Sequence, residues 1–352
     1  MGRASLVELP GAITRPTPSA GARYVMGMDG GATKTLAAVL DLEALDIHVA
    51  HAGPSNEDAI GVRAAVQVLL EVADEALARA GIPQSQLARA VLAIAGTDTQ
   101  SLARHLRAER SEDWIVVNDV VAAWAAATSA SAGVGVIAGT GSNVFGVGPH
   151  GRAWRAGGWG HLLGDEGSGY WLGVHSISAA LRDRDASGPP TALSTAAVEF
   201  FGVERVEDLA PLVYAKPLTK GEIAAFATVT QRVAQQGDEV ARALYAQGAR
   251  ELGHQIAVVI RESGLAEDPA TEFPVGLIGG AFRAGSVFVD PLTAAVAASA
   301  PHARVATVEL QPVGGSLLLA AHACGHTLER AAFEQRLDAV VAAPPRRPGS
   351  SS

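Results

Sequence analysis

The sequence predicts an α/β chain built as two lobes of like construction, with a helical insertion in the second. Three observations predict it. An apolar strand at 24–29 runs into a glycine-rich turn and a second apolar run at 36–40. The same pattern returns as a run at 134–138, a turn with Gly139 and Gly141, and a run at 144–147. After each hairpin, short apolar strands alternate with stretches of helical period.

Composition narrows the function classes. With 352 residues, 48% hydrophobic and 18% charged, the chain can bury a substantial core in two domains and is not a disordered polymer. A net charge of -9, with no run of Lys or Arg, argues against a nucleic-acid surface. The single cysteine, Cys324, excludes an internal disulfide and any cysteine-built cluster or zinc site. It lies in an apolar run, 317–324, and reads as a buried thiol. No apolar segment has the length of a membrane span and the N-terminus has no apolar signal core, so no membrane partner and a cytoplasmic location are expected. Lysine occurs only at 34, 216 and 220, which makes Lys34 in the first turn conspicuous.

In chain order, residues 1–22 carry Pro10, Pro16 and Pro18 without periodicity and read as a flexible leader. The first lobe is expected over 23–128: the hairpin, a third strand at 47–51, a helix at 59–80 closed by Gly81 and Pro83, a buried strand at 89–95, a short strand at 114–117 and a helix at 120–127. The second lobe is expected over 129–326, with hairpins to 156 and a helical insertion at 166–263. Inside the insertion, Thr219 and Glu222 form a capping box, and 239–262 is amphipathic. Strands follow at 273–278 and 304–309; Gly314-Gly315-Ser316 reads as a turn opening a helix. The stretch 327–342 reads as a closing helix that returns to the first lobe, and 343–352 as a flexible tail.

The two turns carry the chemistry. Gly139 and Gly141 let the backbone take positive φ and approach a ligand, while Thr140, Ser142 and exposed N–H groups offer donors, a combination suited to an oxyanion. Gly30, Gly31, Thr33, Lys34 and Thr35 form the earlier counterpart, after a strand ending in Asp29. Neither turn has the Gly-x4-Gly-Lys-Ser/Thr spacing of a P-loop. Two such turns could grip opposite ends of a polyphosphate.

Three segments carry a resemblance: Asp-Gly-Gly-Ala-Thr-Lys-Thr at 29–35, Ala-Gly-Thr-Gly-Ser-Asn at 138–143, and the long Gly-Gly-Trp-Gly-His-Leu-Leu-Gly-Asp-Glu-Gly-Ser-Gly-Tyr-Trp at 157–171. Together they resemble the N-acetylglucosamine and glucosamine kinase branch of the actin, heat-shock ATPase and sugar kinase superfamily, over roughly residues 24 to 330. The resemblance implies two ribonuclease-H-like lobes, ATP and Mg2+ as cofactors, an amino sugar as partner, and a homodimer.

Asp119, at the junction of a strand and a helix, either caps that helix or stands as the base that accepts the proton of the sugar hydroxyl. The resemblance favours the base. Asp29 is either a turn former or the carboxylate that holds Mg2+. By resemblance, Gly31, Thr33, Lys34, Thr35, Thr140 and Gly141 face the phosphates and Gly279-Gly280 the adenosine. The sugar is expected at Gly158, Trp159, Gly160, Asp165 and Glu166, where an aromatic face and paired acids would complement a pyranose, and at Asn56, Ser142, Asn143 and Asp119. His161 reads mainly as a prop.

The expected reaction is phosphorylation of the 6-hydroxyl of an amino sugar. Glucosamine is preferred because a free ammonium wants the carboxylates of Asp165 and Glu166; N-acetylglucosamine is the alternative. An ATP-dependent reductase activator would share the core but needs cluster thiolates that one cysteine cannot supply. A sugar-responsive repressor would need a helix-turn-helix that 1–22 is too short and Pro-broken to hold.

Overall fold

The computed structural model describes residues 9–19, 21–96, 99–110, 114–215, 218–268 and 270–341, which divide into two compact units. Of the described residues, one unit holds 9–131 and 309–341, and the other holds 132–308.

The first unit contains β1 (Tyr24–Gly30), β2 (Thr35–Asp41), β3 (Ile47–Ala52), β4 (Leu87–Ile94) and β5 (Ile115–Asn118), in the order β3-β2-β1-β4-β5. β2 is buried at every position, which explains its unbroken apolar run. β1 pairs antiparallel with β2 and parallel with β4, and β4 pairs parallel with β5. Gly30 is opposite Ile94, and Ile94 is opposite Asn118. The carboxyl ends of the three parallel strands therefore finish along one edge of the sheet, the edge where open α/β sheets bind ligands.

The helix expected at 59–80 is two pieces, Glu57–Ile60 and Val62–Ala80, divided at Gly61 with φ 82. The longer piece buries Ala65, Leu69, Val72 and Ala76 at helical spacing. Helix Pro312–Ala323 packs on β1 and on helix Asp119–Thr128, and so belongs to the first unit and not to the second lobe as expected. Gly314 and Gly315 lie inside this helix and do not form a turn before it. Their role is close approach: a Cβ on Gly315 would sit 2.1 Å from the Ala122 carbonyl oxygen, and one on Gly27 2.6 Å from the Leu317 nitrogen. The closing helix is Arg330–Val341, with Phe333 and Leu337 buried.

The leader is not loose where it is described. Helix Gly11–Thr14 buries Ile13, and Thr17 and Ser19 donate backbone N–H groups to the carbonyls of Ala323 and Cys324 at 3.3 Å. The remainder of the leader, 1–8 and residue 20, and the tail, 343–352, lie outside the described residues.

The second unit repeats the plan. β6 (Gly133–Ala138), β7 (Ser142–Val147), β8 (Ala153–Gly157), β9 (Phe273–Ile278) and β10 (Ala303–Thr307) form a sheet of order β10-β9-β6-β7-β8. β6, β7 and β8 make an antiparallel meander, and β9 and β10 run parallel to β6, so this order matches that of the first sheet. The insertion supplies helices Gly169–Arg184, Leu193–Phe201, Lys220–Gln235 and Glu239–Ser263. The first of these starts three residues later than expected, because Ser168 is its cap, accepting from the Trp171 N–H at 3.2 Å. Among the described residues no helix is long and apolar enough to cross a membrane.

Candidate functional site

The sequence-predicted residues fall into two sets, one in each unit. In the first unit, Asp29 stands at the carboxyl end of β1 and Asp119 directly after the carboxyl end of β5. Asn118 is the N-cap of helix Asp119–Thr128, its side-chain oxygen accepting from the Val120 N–H at 3.3 Å, so the capping role left open for Asp119 belongs to its neighbour. Asn118 also donates to the Gly96 carbonyl at 3.2 Å, which holds the end of β5 to the loop after β4. Asp119 occupies the first helical position, where the helix dipole favours its negative charge.

Burial, reinforced by the charge of Asp119 and opposed by Lys34, raises Asp29 from its ordinary value to about 7. Among the described carboxylates with a resolved shift it is the one moved upward. An enclosed acid beside a second acid is a place short of positive charge. These residues fit a divalent cation, with Asp29 as the candidate ligand.

The first turn is tied down from behind. Gly31 N–H donates to the Lys34 carbonyl at 3.0 Å, and the Gly31 carbonyl accepts from the N–H groups of Ser55 and Asn56 at 3.0 and 3.2 Å. Asn56 is thereby brought beside the turn. Thr33 and Lys34 are exposed on it. Thr35 is fully buried, and its hydroxyl donates to the Gly53 carbonyl at 2.7 Å and lies 2.8 Å from the Ser55 hydroxyl, so its side chain braces the turn. Ser55, which sequence reading passed over, is the hub of this brace.

In the second unit, Gly139–Gly141 is a tight turn in which Gly139 N–H donates to the Gly141 carbonyl at 2.9 Å. Thr140 is exposed at its tip. Gly279 follows β9 with φ 123, and a Cβ there would sit 2.4 Å from the Ala138 carbonyl oxygen; only glycine allows the 279–280 backbone so close to the turn. The Gly139–Gly141 and Gly279–Gly280 segments are thus brought together.

The start of the 157–171 segment lies alongside, because Gly157 pairs with Asn143 across β7 and β8. Gly157, Gly158 and Gly160 all have positive φ, and a Cβ on Gly158 would overlap the Asn143 amide at 2.7 Å. Trp159 is 55% exposed, with the Arg155 guanidinium 5.4 Å from its ring centroid. The acids are less available than expected. Asp165, at φ 62 and 3% exposed, accepts from the Ser142 N–H at 3.2 Å and pairs with the Lys220 ammonium at 2.8 Å. Glu166 accepts from the Gln255 amide at 2.8 Å, and its carbonyl takes the Ser142 hydroxyl at 2.8 Å. Ser142, Asp165 and Glu166 therefore hold the turn to the segment. His161 packs edge-on against Tyr170 at 4.9 Å, as a prop would.

Sequence reading missed Lys220 and Gln255. The signal for Lys220 was present as lysine scarcity and the capping box beside it; nothing local marked Gln255.

The BadF/BadG/BcrA/BcrD ATPase family model matches residues 26–320. An N-acetylmuramic acid/N-acetylglucosamine kinase from Clostridium acetobutylicum is 34% identical over 243 residues, 68% of this chain and 79% of that protein. An N-acetyl-D-glucosamine kinase from Dictyostelium discoideum is 28% identical over 313 residues, 84% of this chain and 97% of that protein. A solved structure from Chromobacterium violaceum described as an N-acetylglucosamine kinase superposes with a TM-score of 0.66 at 25% identity, covering 85% of this chain and 99% of that one. With two sheets of matching strand order and a family match across most of its length, the chain belongs to the BadF/BadG/BcrA/BcrD ATPase family and has the two-lobed actin-like ATPase fold.

Proposed function

We propose that this chain is an ATP-dependent kinase that phosphorylates the 6-hydroxyl of an N-acetylated amino sugar, with N-acetylglucosamine as first substrate. The observation that carries the chemistry is the acid pair at the strand ends: Asp119, whose neighbour Asn118 does the capping, and Asp29, held near neutral pH by burial and by Asp119. Asp119 would orient the acceptor hydroxyl and take its proton. Asp29 would hold Mg2+, which neutralises the phosphate oxygens when bound. Thr33 and Lys34 from the first unit, and Thr140, Gly141, Gly279 and Gly280 from the second, would bind ATP. Asn56, Asn143, Gly158, Trp159 and Gly160 would bind the sugar.

The choice of an acetamide over a free amine departs from the expectation of glucosamine. That expectation rested on Asp165 and Glu166 as acceptors for an ammonium. Asp165 is already paired with Lys220 and Glu166 with Gln255, so a charged amine would have to compete for both. The N-acetylated substrates in the names of the two relatives support the same choice. A panel of N-acetylglucosamine, N-acetylmuramic acid, glucosamine and glucose with ATP and Mg2+, following ADP release, tests it. Turnover with kcat/KM highest on an N-acetylated sugar is expected; a preference for glucosamine would restore the other reading, and no turnover on any of them would refute the kinase.

A further inference from the structure

We propose that Gln255 is a positioning residue for the sugar site: it holds both ends of segment 157–166 against helix Glu239–Ser263 and so fixes Trp159 and Gly160. The identity of the sugar is taken from the kinase reading.

The face of helix Glu239–Ser263 turned to this segment and to β7 carries Gly248, Leu252, Gln255 and Val259 at helical spacing. Glycines meet it along its length. A Cβ on Gly146 in β7 would sit 2.7 Å from a Val259 methyl, and one on Gly167 would sit 3.0 Å from the Gly248 carbonyl oxygen and 3.4 Å from the Leu252 Cβ. Between Leu252 and Val259, both fully buried, the helix presents the amide of Gln255.

That amide reaches both ends of the segment. Its nitrogen donates to the Glu166 carboxylate at 2.8 Å. Its oxygen lies against Gly157, at φ 76, where a Cβ would overlap it at 2.4 Å. The Glu166 carboxylate is in turn tucked under the loop: a Cβ on Gly164 would sit 3.5 Å from its oxygen and 3.5 Å from the Trp159 Cβ. Gln255 therefore acts on the root of Trp159 through Glu166, and on the strand end that leads into it through Gly157.

What the arrangement costs points to its purpose. The Gln255 oxygen is buried and, among the described residues, has no hydrogen-bond partner. An enclosed acceptor without a donor lowers stability. A methionine would fill the same space beside Leu252 and Val259 without that penalty, so folding alone favours an apolar residue here. What the amide adds is the donor to Glu166.

The test uses the full chain as wild type, Gln255→Met, Gln255→Glu, and the exchange Gln255→Glu with Glu166→Gln, which keeps an amide facing a carboxylate with the roles reversed. For Gln255→Met, KM for N-acetylglucosamine should rise about ten-fold, the effect of one hydrogen bond to a charged group. KM for ATP should be unchanged and the urea midpoint equal or higher. Gln255→Glu alone sets two carboxylates face to face and should raise the sugar KM further; the exchange should recover most of that rise. Hydrogen exchange without ligand reads the segment independently of turnover: backbone amides of 158–168 should exchange faster in Gln255→Met while those of β6 and β9 keep their protection. Sugar and ATP KM raised together with a lowered midpoint would overturn the inference in favour of a structural role. So would an unchanged sugar KM in Gln255→Met, an exchange variant no better than Gln255→Glu, or amides of 158–168 that exchange as in wild type. A wild-type protein that turns over no amino sugar, with the hydrogen-exchange response as expected, would sink the kinase reading and leave the positioning of the segment standing.

Discussion

Replacing Asp29 with asparagine should make the protein more stable at alkaline pH while abolishing its turnover. Asp29 has a folded-state value of about 7 against the ordinary 3.8, a rise of about three units, and one unit corresponds to about 1.4 kcal/mol. The folded state binds this proton more tightly than the unfolded chain. Between about pH 4 and pH 7 it therefore carries more bound protons, and unfolding free energy falls as pH rises through that window. Above pH 7 the wild type bears the full cost of the buried charge, up to about 4 kcal/mol; part of the side chain reaches solvent, so this is an upper figure. The amide introduced by Asp29→Asn has the same shape and no charge to desolvate. Urea midpoints at pH 4 and pH 8, without Mg2+, should be close at pH 4 and higher for Asp29→Asn at pH 8. Added Mg2+ and ADP should narrow the gap by stabilising the wild type alone. Parallel pH profiles for the two proteins would refute the argument that this acid is held under strain for a cation.

Asp119→Ala should lower turnover by about 10²- to 10⁴-fold with little change in melting temperature, since the cap is Asn118; near-normal turnover would remove Asp119 as the base. Asn118→Ala should do more to stability, about 1 kcal/mol by urea titration, and an unchanged midpoint would show that the cap is dispensable. Gly279→Ala should destabilise the second unit by about 1–3 kcal/mol and raise KM for ATP, because its Cβ has nowhere to go beside the Ala138 carbonyl; unchanged midpoint and KM would contradict the close approach.

Strand positions, the two turns and the capping box were legible because each follows from local pattern: continuous apolar runs for buried strands, glycine between paired strands, Thr219 and Glu222 at capping distance; positive φ, expected at Gly139 and Gly141, falls instead at Gly157, Gly158, Gly160 and Gly279. What local pattern could not reveal was partnership across long sequence separation. The Asp165–Lys220 pair spans 55 residues, and the Gln255–Glu166 bond spans 89. An aspartate and a glutamate in succession look like two acceptors waiting for a ligand until their partners are placed. Gly314 and Gly315 misled in the opposite direction: they read as a turn, whereas the need was a helix surface bare enough to touch Ala122. The leader was misread because prolines say nothing about whether Ile13 finds a buried place.

The two sheets share one winding plan but end in opposite chemistry. At the strand termini of one, two carboxylates gather and proton affinity climbs; at the matching termini of the other, Gly139 and Gly279 let two backbone bends press together. On the proposed function, a scaffold used twice would have acquired polarity, with the general base and the cation ligand confined to one of its halves.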